Sequence, residues 1–328
     1  MLQQTRVEVV LPYYERFLER FPTVEALAAA GIDEVLALWS GLGYYRRARQ
    51  LHAAARQVAA VGVFPRDPDG WRALPGIGPY TAAAVTSIAF GVATPVLDGN
   101  VERVVSRWLA QAEDAKAGGP RRRLLAAAAE LLDPARPGDS NQALMELGAT
   151  LCTPRRPKCL LCPLAPGCRA KMAGDPERYP AARVKRESEK QRLVVAVAER
   201  EGRVLLFRRP DDSTLLAGTW ELPWVREEAA APEAALAERY GGAWRLGPRL
   251  GEVRHGITFR DLEIGVHRAE VAGAGLAGEA GWFDAEARTG LGLSSLVGKV
   301  LGVAVSPDAV SAPAAGRPAR RSRSRRPG

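Results

Sequence analysis

The chain has 328 residues, 47% hydrophobic and 25% charged, a balance that suits a globular protein with room for two cores. No stretch reaches the length of an apolar membrane span, and the opening Met1-Leu2-Gln3-Gln4-Thr5-Arg6 lacks the apolar core of a secretory signal, so the expected location is cytoplasmic with no membrane partner. The formal net charge of +9 suggests a polyanionic partner, but residues 306–328 hold six Arg against Asp308 and read as a disordered tail, which leaves the body near about +4.

In chain order, apolar residues recur at helical spacing over 11–20, 24–30, 32–41, 46–61 and 121–132, separated by Pro, Gly or Asp. Within these, Arg46, Arg47 and Arg49 read as a solvated face. Leu74-Pro75-Gly76-Ile77-Gly78-Pro79-Tyr80-Thr81-Ala82 is a two-glycine turn followed by Pro at a first helical position and an Ala-rich helix. N–H groups left unpaired at such a helix start suit a phosphate, although taken alone the segment reads as a tight loop between packed helices. Val96-Leu97-Asp98-Gly99-Asn100-Val101-Glu102-Arg103 puts Asp98 at the start of another helix, where by residue type it reads as an N-cap.

Cys152, Cys159, Cys162 and Cys168 are the only cysteines and fall within seventeen residues. Four thiols gathered so closely in a chain without a signal peptide indicate a cofactor site rather than disulfides. Zinc favours two close pairs and only Cys159 and Cys162 form one, so the spacing leans toward an iron–sulfur cluster, with a zinc-stabilised DNA-binding module as the alternative. Residues 174–191 are polar and read as a linker. The period then changes to two: 193–198 and 203–208 flank a Glu-Gly turn, further strands are expected at 219–225, 249–253 and 262–268, and helices at 232–240 and 294–303.

The glycine hairpin, the Leu97-Asp98-Gly99-Asn100-Val101 segment and the cysteine spacing together resemble the helix-hairpin-helix DNA glycosylases that carry a [4Fe-4S] cluster. Within that group the chain resembles the adenine DNA glycosylase (MutY) family more than endonuclease III. The features that choose are Met1-Leu2-Gln3-Gln4-Thr5, Gly41-Leu42-Gly43-Tyr44-Tyr45, Asn141-Gln142-Ala143-Leu144-Met145-Glu146-Leu147-Gly148 and the β-containing second half. Endonuclease III uses a Lys beside the hairpin. The matching position here is Tyr80, no Lys occurs in residues 1–115, and a phenol forms no Schiff base, which argues for simple hydrolysis.

The resemblance implies a multidomain α and α+β fold: an all-α helix-hairpin-helix glycosylase domain with a [4Fe-4S] cluster loop over 1–173, the linker 174–191, a Nudix-like α+β domain for 8-oxoguanine recognition over 192–304, and the Arg-rich tail 305–328. It implies a monomeric, nucleoid-associated, bacterial-type enzyme of base-excision repair. Its partner would be double-stranded DNA with adenine opposite 8-oxoguanine or guanine, and the adenine would be flipped out before its N-glycosidic bond is hydrolysed. In the family a Glu protonates adenine while an Asp faces the oxocarbenium-like sugar.

Asp98 matches that Asp, and Tyr80 and Asn100 match residues lining its pocket. Gly76 and Gly78 match the DNA-binding hairpin, and Arg155, Arg156 and Lys158, inside the first cluster loop, are better candidates for phosphate contacts than Arg46, Arg47 and Arg49, because a small cluster-held loop can hold cations rigidly against a backbone. Gln3 and Gln4 match residues that probe the base stack, and Tyr44 matches an aromatic wedge beside the oxidised guanine; by pattern alone they read as an exposed helix end and a partly buried tyrosine. His255 and Thr258 match the loop that reads 8-oxoguanine, with Phe259 where many relatives carry a second His. The Arg-Glu-x-x-Glu-Glu helix of Nudix hydrolases is absent, so nucleotide hydrolysis is not expected. The family's Glu lies two residues before the Met matched by Met1, so the general acid and a closing N-terminal helix are expected to fall outside this chain. A start codon assigned too late and a shortened protein both fit that expectation. The alternatives are a non-catalytic mispair-binding protein and an endonuclease III-like glycosylase and lyase.

Overall fold

The computed structural model describes residues 1–2, 5–113, 118–181, 187–228 and 231–305. Gln3, Gln4, part of the 174–191 linker and the tail from 306 lie outside the described residues. In chain order come α1 (Val7–Arg20), α2 (Val24–Ala29), α3 (Ile32–Trp39), α4 (Tyr45–Val61), α5 (Pro68–Arg72), α6 (Pro79–Phe90), α7 (Gly99–Leu109), α8 (Gly118–Glu130), α9 (Pro137–Thr150) and α10 (Arg169–Met172). The second half holds β1 (Glu189–Arg200), β2 (Arg203–Arg208), β3 (Trp220–Glu221), β4 (Trp224–Arg226), α11 (Pro232–Tyr240), β5 (Gly241–Ile257), β6 (Arg260–Leu276), β7 (Ala280–Phe283) and α12 (Ser295–Val305). The fold is thus helical first and α+β second, as the change of period indicated. Contacts group the chain into two compact units, one of Met1–Arg20, Ala30–Ala48 and Glu187–Gly328, the other of Phe21–Ala29 and Arg49–Arg186.

In the second of these units, α6 to α9 enclose a core of Val96, Leu97, Val101, Val104, Val105, Leu124, Leu144 and Leu147. On α7, Val101, Val104 and Val105 recur at helical spacing and turn one face inward, which is why this amphipathic segment folds as a helix. Each such side chain stabilises the core by roughly 1.5–3 kcal/mol. Helix α9 is built differently. A Cβ on Gly138 would stand 2.9 Å from Ile88 Cα, so this helix approaches its neighbour backbone to backbone. Its inward face also carries Asn141, 1% exposed. That amide accepts from Val96 N at 3.0 Å and donates to Ser87 Oγ and Thr94 O, each at 2.9 Å, so one side chain satisfies the extended backbone leading to Asp98.

In the other unit, a mixed sheet runs β3-β2-β1-β6-β5, with β4 on β1 and β7 on β2. Strand β1 lies parallel to β6 and pairs from Glu189↔Arg260 to Ala198↔Ala269. Its run Leu193-Val194-Val195-Ala196-Val197-Ala198 is apolar throughout because both faces are covered: Leu193, Val195 and Val197 pack with Val297 and Val300 of α12, and Val194, Ala196 and Ala198 pack with Leu236 and Tyr240 of α11. Helix α3 belongs to this unit, and Ser40 Oγ at its end donates to Leu293 O at 2.6 Å.

Strands β5 and β6 extend well beyond the expected 249–253 and 262–268, and two other boundaries differ from expectation for local reasons. Helix α1 begins a turn before residue 11 and runs through Pro12, which by sequence resembles a helix start. The single strand expected at 219–225 divides into β3 and β4 around Leu222-Pro223, because Pro has no N–H to give a ladder. Replacing Asn141 with Ala strands the Val96 N–H inside the core, and a loss of about 3 kcal/mol is expected in urea unfolding of the helical unit. An unchanged midpoint would contradict the role assigned to Asn141.

Candidate active site and cysteine loop

Asp98 is the N-cap of α7, and its Oδ1 accepts from Asn100 N at 2.9 Å and Val101 N at 2.7 Å. The capping role expected from residue type is therefore real. Its Oδ2 accepts only from Asn100 Nδ2, at 3.2 Å, among the bonds observed, so one carboxylate oxygen keeps acceptor capacity on a half-buried surface. Tyr80 stands in the first turn of α6, where burial raises its phenol pKa and the nearby Asp98 charge pushes the same way. Its hydroxyl points to Met145 Sδ at 3.5 Å. Tyr80, Asp98 and Asn100 thus form one group at the starts of two helices.

The glycine hairpin precedes α6. Gly76 has φ +76, and a Cβ there would sit 2.6 Å from Gln50 Cβ, so glycine is required for both conformation and space. Gly78 is the N-cap of α6 and offers no side-chain cap, and a Cβ there would meet nothing within 4 Å. The helix start is left accessible to an external acceptor.

The four cysteines line one pocket together with Arg107, Lys158 and Lys171. Among the described residues no three His, Cys, Asp or Glu side chains converge to hold a single metal ion. The four thiols nonetheless line the same pocket and are ligand types that either an iron–sulfur cluster or zinc would take. Burial pushes the Cys162 thiol above its usual range, and the three other thiols add to that shift, so ligation must displace its proton.

Two residues that sequence reasoning passed over organise this region. Arg103 Nε donates to Cys152 O at 2.7 Å, while its Nη2 donates to Gly148 O at 2.6 Å and Asn100 Oδ1 at 3.0 Å. Arg107, 2% exposed, donates to Thr153 O at 2.8 Å, Pro154 O and Tyr179 O, each at 3.0 Å, and to Cys152 Sγ at 3.3 Å. The available signal was a pair of arginines at i and i+4 just after Asp98, the second set inside Val104-Val105-Ser106-Arg107-Trp108. Arg155, Arg156 and Lys158 are exposed on the same loop, as is Leu160 at 93%.

Residues 1–128 match the HhH-GPD superfamily of base excision DNA repair proteins, and residues 193–302 match the NUDIX domain family. The adenine DNA glycosylase of Mycolicibacterium smegmatis is 42% identical over 237 residues, covering 71% of this chain and 78% of the relative. The chain belongs to the adenine DNA glycosylase family. The human adenine DNA glycosylase is 37% identical over 80% of this chain and 58% of its own length, and that of Arabidopsis thaliana is 41% identical over 70% and 42%. The chain therefore spans about half the length of these two relatives.

This adenine DNA glycosylase homologue carries its remaining candidates in the unit that contains the sheet. Tyr44, 52% exposed, immediately precedes the buried Tyr45 and is not the partly buried tyrosine that pattern alone suggested. His255 lies near the end of β5 and Thr258, at φ +56, in the turn to β6. His255 Nδ1 lies 3.5 Å from Lys299 Nζ of α12. Burial lowers the His255 pKa and the Lys299 ammonium lowers it further, which favours the neutral ring, and a donor beside Nδ1 favours the tautomer with its proton on Nε2. Phe259 follows Thr258, with the Arg260 guanidinium 5.0 Å above its ring. No helix among the described residues is long and apolar enough to cross a membrane.

Gly148 closes the site from behind, since a Cβ there would lie 2.7 Å from Asn100 Cβ. The Gly148→Ala change is expected to cost about 1–3 kcal/mol and to displace Asn100, as read by thermal melting and by the amide shifts of residues 98–101. For His255, Lys299→Met should move the imidazole titration upward in NMR, toward its unperturbed range. A titration that stays put would show that Lys299 does not act on the ring.

Proposed function

We propose that this protein is a monofunctional adenine DNA glycosylase that hydrolyses the N-glycosidic bond of adenine paired with 8-oxoguanine or guanine. The observation that carries the reading is Asp98, held by its cap through one carboxylate oxygen while the other keeps acceptor capacity beside Asn100, with Tyr80 near its charge. An extruded adenosine would bring its sugar to this oxygen. As the glycosidic bond lengthens, positive charge develops on the sugar, and a preoriented carboxylate stabilises it without reorganising. The helix start holds Asp98 in place through the backbone N–H groups of Asn100 and Val101. Tyr80 stands near this carboxylate with a neutral phenol, its pKa raised by burial and then by the Asp98 charge. With no lysine amine at that position, water rather than the protein takes the sugar carbon, and strand cleavage is not part of the reaction.

Departure of adenine also needs a proton, and single-turnover adenine release by the 328-residue chain measures whether its own residues supply one. The sheet-containing unit would read 8-oxoguanine through His255 and the Thr258 hydroxyl. Double-stranded DNA in the cytoplasm, within the nucleoid, is the partner, bound by a monomer. The Gly76–Gly78 hairpin would take one backbone phosphate at the start of α6, and Arg155, Arg156 and Lys158 would contact others. Gln3 and Gln4 would probe the base stack.

The cofactor we propose is a [4Fe-4S] cluster on Cys152, Cys159, Cys162 and Cys168. When bound it supplies rigidity to the loop and no substrate chemistry. Arg107, Lys158 and Lys171 offset the negative charge of a thiolate-ligated cluster.

Asn caps a helix as well as Asp does, which separates the two roles of Asp98. Asp98→Asn is expected to keep the melting temperature and mispair affinity while lowering single-turnover adenine release by at least about a hundredfold. Near-normal release would remove Asp98 from the chemistry. Protein purified without oxygen should contain iron and acid-labile sulfide in equal amounts and absorb in the visible, and chelation should weaken duplex binding more than it unfolds α6–α9. Stoichiometric zinc without sulfide would replace the cluster by the zinc alternative.

A further inference from the structure

Tyr44 is an exposed aromatic on a tightly wound support. Gly41, Gly43 and Tyr44 all have positive φ, at +100, +71 and +51. A Cβ on Gly41 would meet Tyr13 Oη at 2.3 Å, so the turn cannot relax by substitution there. Trp39 Nε1 donates to Gly43 O at 3.0 Å, and Gly41 N donates to Tyr45 Oη at 3.1 Å. Tyr45 Oη in turn donates to Leu293 O. The backbone of the turn is thereby fixed from both sides. A non-glycine residue in the left-handed region costs energy, and a structure that holds one in place commonly uses it.

The Tyr44 ring, unlike its backbone, projects from the surface and needs a further restraint. Arg47, one turn into α4, provides one. Its guanidinium carbon lies 4.9 Å from the Tyr44 ring centroid and 5.7 Å from that of Trp39. Its Nη1 donates to Met1 O at 3.1 Å and its Nη2 to Thr5 Oγ1 at 3.3 Å. The group is half-buried, so Arg47 is not part of the solvated face that its neighbours in sequence suggested. A planar cation suits this place because it stacks on rings with its face and donates hydrogen bonds from its edge, which an ammonium cannot do.

We infer that Arg47 is a positioning residue for the lesion-probing aromatic, joining the Tyr44 ring to the backbone at Met1 and the hydroxyl of Thr5 so that the ring meets the duplex already oriented. This rests on the reading of Tyr44 as the wedge beside the oxidised guanine. A free Tyr44 would lose rotamer freedom on every encounter, and prior stacking removes that loss. With its donors turned toward the protein, Arg47 would contribute orientation rather than a phosphate contact.

The test is a double-mutant cycle in the full chain. Wild type, Arg47→Met, Tyr44→Ala and the double variant are titrated, over a range of salt, with a duplex carrying adenine opposite 8-oxoguanine and with its A:T counterpart. Arg47→Met is expected to weaken mispair binding about tenfold, to leave A:T binding and its salt dependence unchanged, and to have no further effect once Tyr44 is Ala. A salt slope reduced by about one would make Arg47 a phosphate contact. An equal loss in the Tyr44→Ala background would make it a general structural residue. Either result overturns the proposal while the glycosylase reading stands. A wild-type chain with no preference for the mispair overturns both. Thermal unfolding checks each variant, and if Arg47→Met does not fold, Arg47→Lys is judged by the same criteria, since it keeps the charge but loses the planar stack.

Discussion

The cysteine loop poses a hydrogen-bonding problem on which the helical unit depends. Its backbone follows no helix or strand through Thr153 and Pro154, and carbonyls there need donors from elsewhere. Two guanidinium groups on α7 supply them, with Arg107 reaching Thr153, Pro154 and Tyr179 and Arg103 reaching Cys152 and Gly148. The same helix starts at Asp98, and Arg103 also bonds Asn100, which bonds Asp98. The loop that would hold a cofactor and the carboxylate that would face a sugar are therefore fastened to one rigid element. Buried guanidinium groups are costly unless their donors are satisfied, so this arrangement is stable only while the loop keeps its shape.

That dependence gives the cysteines a role without placing them in the chemistry. A loop of this composition has little apolar surface to bury, and Leu160 and Leu161 are turned out to solvent. Ligation of four thiols by one cluster would fix its ends and middle together, much as metal ligation folds other small loops. The carbonyl positions that Arg103 and Arg107 require would follow from that fixation. Loss of the cofactor would be felt first as loss of the acceptors facing α7, and through Asn100 as a looser carboxylate.

Sequence legibility followed the kind of force that forms each element. Helix α11 and strand β2 have the bounds read from Pro, Gly and charge, because local punctuation sets their ends. Helix α9 was not legible as a helix by apolar periodicity, since Gly138, Asn141 and Gly148 share its inward face with the buried Leu144 and Leu147. The Asp98 cap was readable from residue type, whereas the acceptor capacity left on its second oxygen needed the three-dimensional partners. Between Tyr44 and Tyr45 no local rule says which ring is buried; the left-handed turn decides it. Arg47 and Arg107 were hidden for the same reason, as a buried guanidinium and a surface one look alike in a chain.

The sheet-containing unit, which matches the NUDIX domain family, pairs its inner charges with one another. Glu221 lies on β3, where a carboxylate in a cleft could attract a divalent cation, but its Oε2 accepts from Arg209 Nη1 at 2.5 Å and from Trp224 Nε1 at 3.1 Å. Arg239 of α11 adds a second guanidinium, 3.6 Å from Oε1 and stacked 3.8 Å over Trp224. Two fixed positive charges oppose a cation at this carboxylate. The neighbouring helix offers Glu233 and Glu238 but no run of acidic residues on one face. Tyr240, whose pKa is raised mainly by burial and next by the Glu221 charge, keeps its proton and accepts from Trp224 N at 3.3 Å, which completes a packed polar cluster. These charges are paired within the unit and add rigidity, and a rigid sheet is the support that the turn His255–Thr258 would need in the recognition role proposed for it.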